Sequence, residues 1–189
     1  MLRKSHVTLI FCILFTIYPF HSFPADKGVE SPCVRGEPEP LFAGNNPRIK
    51  SHSFALRSRT EATEDVVTLS GDRIIILNGG CEYYVNSFRY ESATISGRDP
   101  SAIYWGTEAA KALRKLQAMR PSVVFDLTKA AETLEKLVSE PGKLSLDSEI
   151  PVEGDGIEFL QTRLTLRGGG LLQGQPGGYV EFDLVKGPL

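Results

Sequence analysis

Apolar and polar positions change period along this chain, from a solid apolar block, to alternation, to a spacing of three and four, and back to alternation. The block runs from Val7 to Phe20 behind Arg3 and Lys4, the charged-then-apolar order of a secretory signal. At ~1.5 Å per helical residue it reaches only ~20 Å, short of a ~30 Å hydrocarbon layer, so no integral membrane span is expected after cleavage. Residues 1–25 are therefore read as a signal peptide. A cut after Ala25 leaves Phe23 at the third position back, where a small residue is preferred, so the sequence does not fix the cleavage site. An uncleaved anchor is the alternative. Cys12 follows Phe11 and Cys33 follows Pro32, and neither is placed as a lipid-modified cysteine would be.

Residues 26–50 form a leader crowded with Pro32, Gly36, Pro38, Pro40, Gly44, Asn45, Asn46 and Pro47, which forbids a long regular element. Alternation then begins. Ser53–Arg59 and Val66–Ser70 read as strands, the second closed by the turn signal Ser70, Gly71, Asp72. Arg73–Leu77 carries three isoleucines, Asn78 and Gly79 offer a turn, and Cys81–Tyr90 resumes with aromatic and β-branched residues, which predicts a hairpin.

The period changes at Asp99 and Pro100, read as an N-cap followed by a first-turn proline. Trp105, Ala109, Ala112, Leu113 and Leu116 recur at helical spacing opposite Glu108, Lys111, Arg114 and Lys115, predicting a helix over 99–120. Val123, Leu127, Ala131, Leu134 and Val138 predict a second over 122–139, ending before Pro141 and Gly142. So short a link implies a helical hairpin. Alternation returns in Leu160–Arg167 and Val180–Leu184. Strands with one wet face point to an antiparallel sheet with the two helices packed on the other face. The expected class is α+β, in the order β-β-β-β-α-α-β-β, over a single domain of residues 51–189.

Composition agrees with an ordinary globular domain: 189 residues, 41% apolar, 23% charged, net charge −2. Loss of Arg3 and Lys4 with the signal takes the net charge from −2 to −4, which gives no reason to expect nucleic acid as a partner. Export also leaves only Cys33 and Cys81, an even pair entering an oxidising space, and one disulfide between them is expected.

Catalytic groups are few. His52 is the one histidine beyond the signal, and no GxSxG, SxxK or HExxH run surrounds it. It reads as a plain strand-edge histidine. Asp147, Glu149, Glu153, Asp155 and Glu158 crowd carboxylates beside Gly154 and Gly156, a composition able to hold calcium, yet the spacing fits no EF-hand and an acidic turn is the plainer reading. No metal and no cofactor are assigned. Gly168, Gly169, Gly170, Gly174, Gly177 and Gly178 read as a flexible strand connection, on which Leu171 and Leu172 suggest an interaction loop. Tyr83, Tyr84, Phe88 and Tyr90 concentrate aromatic area on one strand, Tyr83 to one face and the others to the opposite one, with one face read as exposed and adhesive.

These features lead to an expectation of an exported, periplasmic or extracellular, non-enzymatic protein that binds a protein partner. An inhibitor or immunity-like protein acting on a cell-envelope hydrolase or toxin has this profile. The competing expectation is an envelope hydrolase or carbohydrate-active enzyme working through carboxylates.

Overall fold

The first four alternating segments pair in chain order, because each is joined to the next by a turn too short for anything but antiparallel return. β1 (Ile49–Leu56), β2 (Ala62–Thr68), β3 (Arg73–Gly79) and β4 (Tyr84–Ser92) form a meander. Two helices follow, α1 (Ala102–Ala118) and α2 (Leu127–Ser139), and then β5 (Glu149–Pro151), β6 (Arg163–Leu171) and β7 (Gly178–Lys186). This computed structural model describes Cys33, residues 36–152 and residues 161–188, so the expected signal peptide lies outside the described residues. β7 returns to the middle of the sheet and pairs with β4 from Tyr84↔Lys186 to Ser92↔Gly178. The sheet order is β1-β2-β3-β4-β7-β6-β5, antiparallel throughout, and the class is α+β.

Period-two patterning decides which side is core. Val66 on β2, Ile74 and Ile76 on β3, Phe88 and Tyr90 on β4, Leu164 and Leu166 on β6, and Val180, Phe182 and Leu184 on β7 are all buried. Their neighbours on the other face are charged and cross-linked: Arg73 with Asp65, Arg89 with Glu91 and Glu181, Arg167 with Asp183. Such half-exposed pairs contribute only ~0.2–1 kcal/mol each, so they keep this face wet more than they hold the sheet together.

The helices cover the apolar face. α1 buries the expected stripe of Trp105, Ala109, Ala112, Leu113 and Leu116, and α2 buries Leu127, Ala130, Ala131 and Leu134. Three boundaries differ from those expected. Ser101, not Asp99, caps α1: its hydroxyl accepts from the Tyr104 N–H at 3.2 Å, while Asp99 accepts from the Ser101 N–H at 2.8 Å. α2 starts at Leu127 behind Asp126 and not at Ser122, because Ser122 donates its N–H to the Leu41 carbonyl at 2.6 Å and Phe125 is buried. The β3–β4 turn lies beyond Asn78 and Gly79, since pairing continues to Gly79↔Val85. Gly80, at φ +106°, makes that turn, and a Cβ there would sit 2.0 Å from the Tyr83 carbonyl oxygen. A seventh strand, β5, is only three residues long and buries one residue, Ile150, too short a run for alternation to show.

The Pro/Gly-rich stretch belongs to the core. It is irregular, as expected, but Leu41 and Phe42 are buried. Their N–H groups cannot pair within a strand or helix, and the buried Glu64 carboxylate accepts both, at 2.7 and 2.9 Å. Asn46 and Arg48 then hold the carbonyls of Met119 and Ala118 at the end of α1. Residues 36–48 thus act as a strap laid between β2–β3 and the α1–α2 connection.

Candidate functional site

The β6–β7 hairpin is where sequence reasoning placed the contact loop, and its construction is unlike a loose connection. β6 continues to Leu171, so Gly168, Gly169 and Gly170 are strand residues. Their small size serves close approach: a Cβ at Gly169 would lie 2.0 Å from the Tyr179 carbonyl oxygen and 2.5 Å from the Trp105 ring. The turn is confined to residues 173–177, closed by the Leu172 N–H donating to the Gly177 carbonyl at 3.1 Å. Leu171 remains 57% exposed, and Leu172 is half-buried.

Leu171 is supported from beneath. Its Cδ2 lies 2.9 Å from where a Gly97 Cβ would stand, and the Gly97 N–H donates to the Tyr104 hydroxyl at 3.2 Å. The Ser96 N–H reaches the same oxygen at 2.9 Å. The β4–α1 connection is thereby tied to the first turn of α1, and the hairpin rests on it. Ile103, in that same helical turn, is 45% exposed. Nothing local in the sequence marks Gly97, a glycine whose reason is a distant leucine.

The aromatic strand resolves differently. Parity is as expected, but the inward face is covered, not adhesive: Phe88 stacks on Phe182 with ring centroids 5.2 Å apart, and Phe88 and Tyr90 are each 3% exposed. Tyr84 is half-buried against the core. Tyr83 precedes β4, half-buried, with the Arg163 guanidinium 5.8 Å from its ring centroid. Phe88 and Tyr90 are therefore packing residues.

Tyr90 also anchors a polar cluster at the rim of the core. Its hydroxyl donates to Oδ2 of Asp72 at 2.6 Å, and Ser70 and Lys115 donate to the same oxygen at 3.0 and 3.1 Å. Burial alone would raise the Asp72 carboxyl, but hydrogen bonds from Ser92, Tyr90, Lys115 and Ser70 outweigh it and hold it below the usual carboxylate range. Burial, then the Asp72 hydrogen bond and charge, push the Tyr90 phenol far above its ordinary value. These hydrogen bonds brace β4 and α1 against the turn that opens β3. The adjoining cleft, about 620 Å³ between α1 and Ile95, is rimmed by Lys111, Arg114 and Lys115. Each of these cations has a carboxylate partner: Glu108, Glu135 and Asp72.

His52 lies on β1 with Nε2 2.7 Å from Oε1 of Glu64, completing the clamp on the strap. In the acidic stretch, Asp147 pairs with Arg167 at 3.0 Å and Glu149 with Arg163 at 3.4 Å. Glu153, Asp155 and Glu158 lie outside the described residues. Cys33 and Cys81 stand at disulfide distance, Cα atoms 5.1 Å apart, and are bonded. Among the described residues no group of three or more His, Cys, Asp or Glu side chains could hold a metal ion, and no helix is long and apolar enough to cross a membrane. Comparison of the chain with protein families, with curated proteins and with solved structures found no match.

Proposed function

We propose that this chain is an exported binding protein, periplasmic or extracellular, that contacts a protein partner through the end of the β6–β7 hairpin. The activity that suits this surface is inhibition or immunity, with a cell-envelope hydrolase or toxin as the partner. The observation that carries the reading is Leu171: a large apolar side chain, 57% exposed, on a strand end seated on the β4–α1 connection. A preordered apolar group loses little freedom on binding, and so returns most of its burial as affinity. The apolar segment at the N-terminus and the Cys33–Cys81 bond are what support export.

The test pairs residues 26–189 with a Leu171→Ser, Leu172→Ser double variant in capture from cell-envelope extract. Folding should change by no more than ~0.5–1 kcal/mol, with Leu172 giving the larger part, while the partner is held ~1–3 kcal/mol more weakly. A protein retained equally by both forms would move the contact elsewhere. Capture of nothing would remove the reading.

A further inference from the structure

The sheet face turned away from the helices is wet and cross-linked, but at one corner it is hollow. Val85, Val185, Arg163 and Pro151 stand in one row across β4, β7, β6 and β5. Just beyond that row, Tyr83, Gly187 and Gln161 frame an open hollow of about 510 Å³. That lies within the ~300–1,000 Å³ of small-molecule sites. Gly187 keeps the space beside the Tyr83 ring clear: a Cβ there would stand 3.0 Å from Tyr83 Cδ1 and 3.0 Å from the Glu82 carbonyl oxygen.

Tyr83 is the apolar element of this hollow. Elsewhere on the same face the Arg89 guanidinium lies 3.5 Å from the Tyr179 ring centroid, a closed stack. The Arg163 guanidinium stands 5.8 Å from that of Tyr83, at the limit of a cation–π contact. The polar elements balance. Arg163 and Glu149 are the charged residues of the lining, one of each sign, so there is no net charge to draw a cation or an anion. They touch at 3.4 Å with side chains 38% and 67% exposed, which leaves most guanidinium N–H groups and carboxylate lone pairs to a ligand. Gln161 donates its Nε2 to the Val152 carbonyl at 3.2 Å, which orients the amide and leaves Oε1 to accept.

Donors and acceptors side by side, next to an aromatic ring and to Pro151 and Pro188, suit a neutral ligand with hydroxyls at its edge and a C–H face. A hydroxyl both donates and accepts, so two neighbouring hydroxyls answer Arg163 and Glu149 together. A pyranose with every hydroxyl equatorial has this shape, its hydroxyls around the rim and its axial C–H groups on the two faces. We propose that this hollow binds one ring of such a gluco-configured sugar, with a C–H face on Tyr83 and adjacent hydroxyls on Glu149 and Arg163. The site lies at the far end of β6 and β7 from the contact surface, about 26 Å along β6 from Arg163 to Leu171, and neither reading depends on the other.

The test is an NMR titration of the disulfide-bonded protein with methyl β-glucopyranoside, followed at the Arg163 Nε–H and the Gly187 N–H. Saturable shifts are expected with the glucoside and not with sorbitol, which carries the hydroxyls without the ring. Saturation transfer from the protein should reach the axial C–H protons of the sugar first. Equal shifts with sorbitol, or none with the glucoside, would overturn the proposal. Tyr83→Ala should weaken binding roughly tenfold, the worth of a ring contact, while Tyr83→Phe keeps it. Unweakened binding by Tyr83→Ala would also overturn the proposal. Should that variant fail to fold, Glu149→Gln on an exposed side chain should still weaken binding roughly fivefold by exchanging a charged acceptor for a neutral one, and no change there counts against the site. Tighter binding of acetyl-triproline amide at the same groups would make this a peptide site and not a sugar site. Cellotetraose held more tightly than the glucoside would assign the ring to a glycan chain, and equal affinity to a free sugar, either result supporting the site.

Discussion

The hydroxyl of Tyr90 and Oδ2 of Asp72 meet at 2.6 Å, joining the middle of the apolar sheet face to the turn that opens β3. This bond settles the role of an aromatic residue that composition alone would place on a surface. It also makes stability depend on pH at both ends of the scale, with opposite signs.

Asp72 titrates below its unfolded value in the native state, so the native chain binds fewer protons in acid. Its contribution is complete above about pH 4 and is lost as pH falls through the folded value. Tyr90 is the reverse: its raised value keeps the native phenol protonated, a contribution complete below about pH 10 and lost as pH rises further. Asp72→Asn should flatten the acid limb of urea stability against pH, and Tyr90→Phe the alkaline limb. Tyr90→Phe should also cost about 1.5–3 kcal/mol at neutral pH, the worth of a hydrogen bond to a charged group. Limbs unchanged in both variants would show that the cluster does not couple to folding.

Glu64 gives a second prediction. Its carboxylate accepts from Leu41, Phe42 and His52. Glu64→Gln puts an N–H where one oxygen accepted, leaving at least one buried donor unpaired, at about 1–3 kcal/mol. Phe42→Ala, which empties the space the strap fills, should cost about 3–5 kcal/mol in denaturant unfolding. If both changes cost nothing, the strap is a passenger and not part of the core.

The regular part of this fold was legible because it is written in short-range period. Ile74, Ile76, Val180, Phe182 and Leu184 alternate and are buried, and Leu113 and Leu116 follow helical spacing and are buried too. What escaped is whatever a distant residue decides. The strap looked like a leader because proline and glycine report only that no regular element forms, and nothing local shows that Glu64 will receive its N–H groups. Ser122–Asp126 had helical spacing in the sequence, yet the Ser122 N–H goes to Leu41. The aromatic strand offered Phe88 and Tyr90 as surface because parity tells two faces apart without telling which one the helices cover.

Gly169 separates packing from mobility as the reason for the glycine run. With a Cβ 2.0 Å from a carbonyl oxygen and 2.5 Å from the Trp105 ring, Gly169→Ala has no room and should cost about 1–3 kcal/mol or more by overpacking. Gly174, in the turn, has open space around its Cβ position and φ +69°, so Gly174→Ala should show only the cost of a left-handed residue, about 1 kcal/mol. Thermal melts of the two variants give the comparison. Equal effects would return Gly169 to the status of a loop residue.

The Cys33–Cys81 bond spans 48 residues and ties the chain ahead of the strap to the β3–β4 turn. Closing a loop of that length removes freedom from the unfolded chain worth about 4 kcal/mol in the chain-entropy account. Within the loop lie the strap, β1, β2 and β3, so the cross-link acts on the half of the sheet whose inner face the strap helps to cover. Reduction should therefore lower the unfolding free energy by about 2–4 kcal/mol. Protection of the Leu41 and Phe42 amides against hydrogen exchange should fall with it, whereas Leu116, buried in α1, should stay protected as long as the fold survives. The decisive comparison is non-reducing mass mapping of protein recovered from the exported compartment, set beside urea curves with and without reductant. Two free thiols with unchanged curves would mean that the strap is held by Glu64 and packing alone.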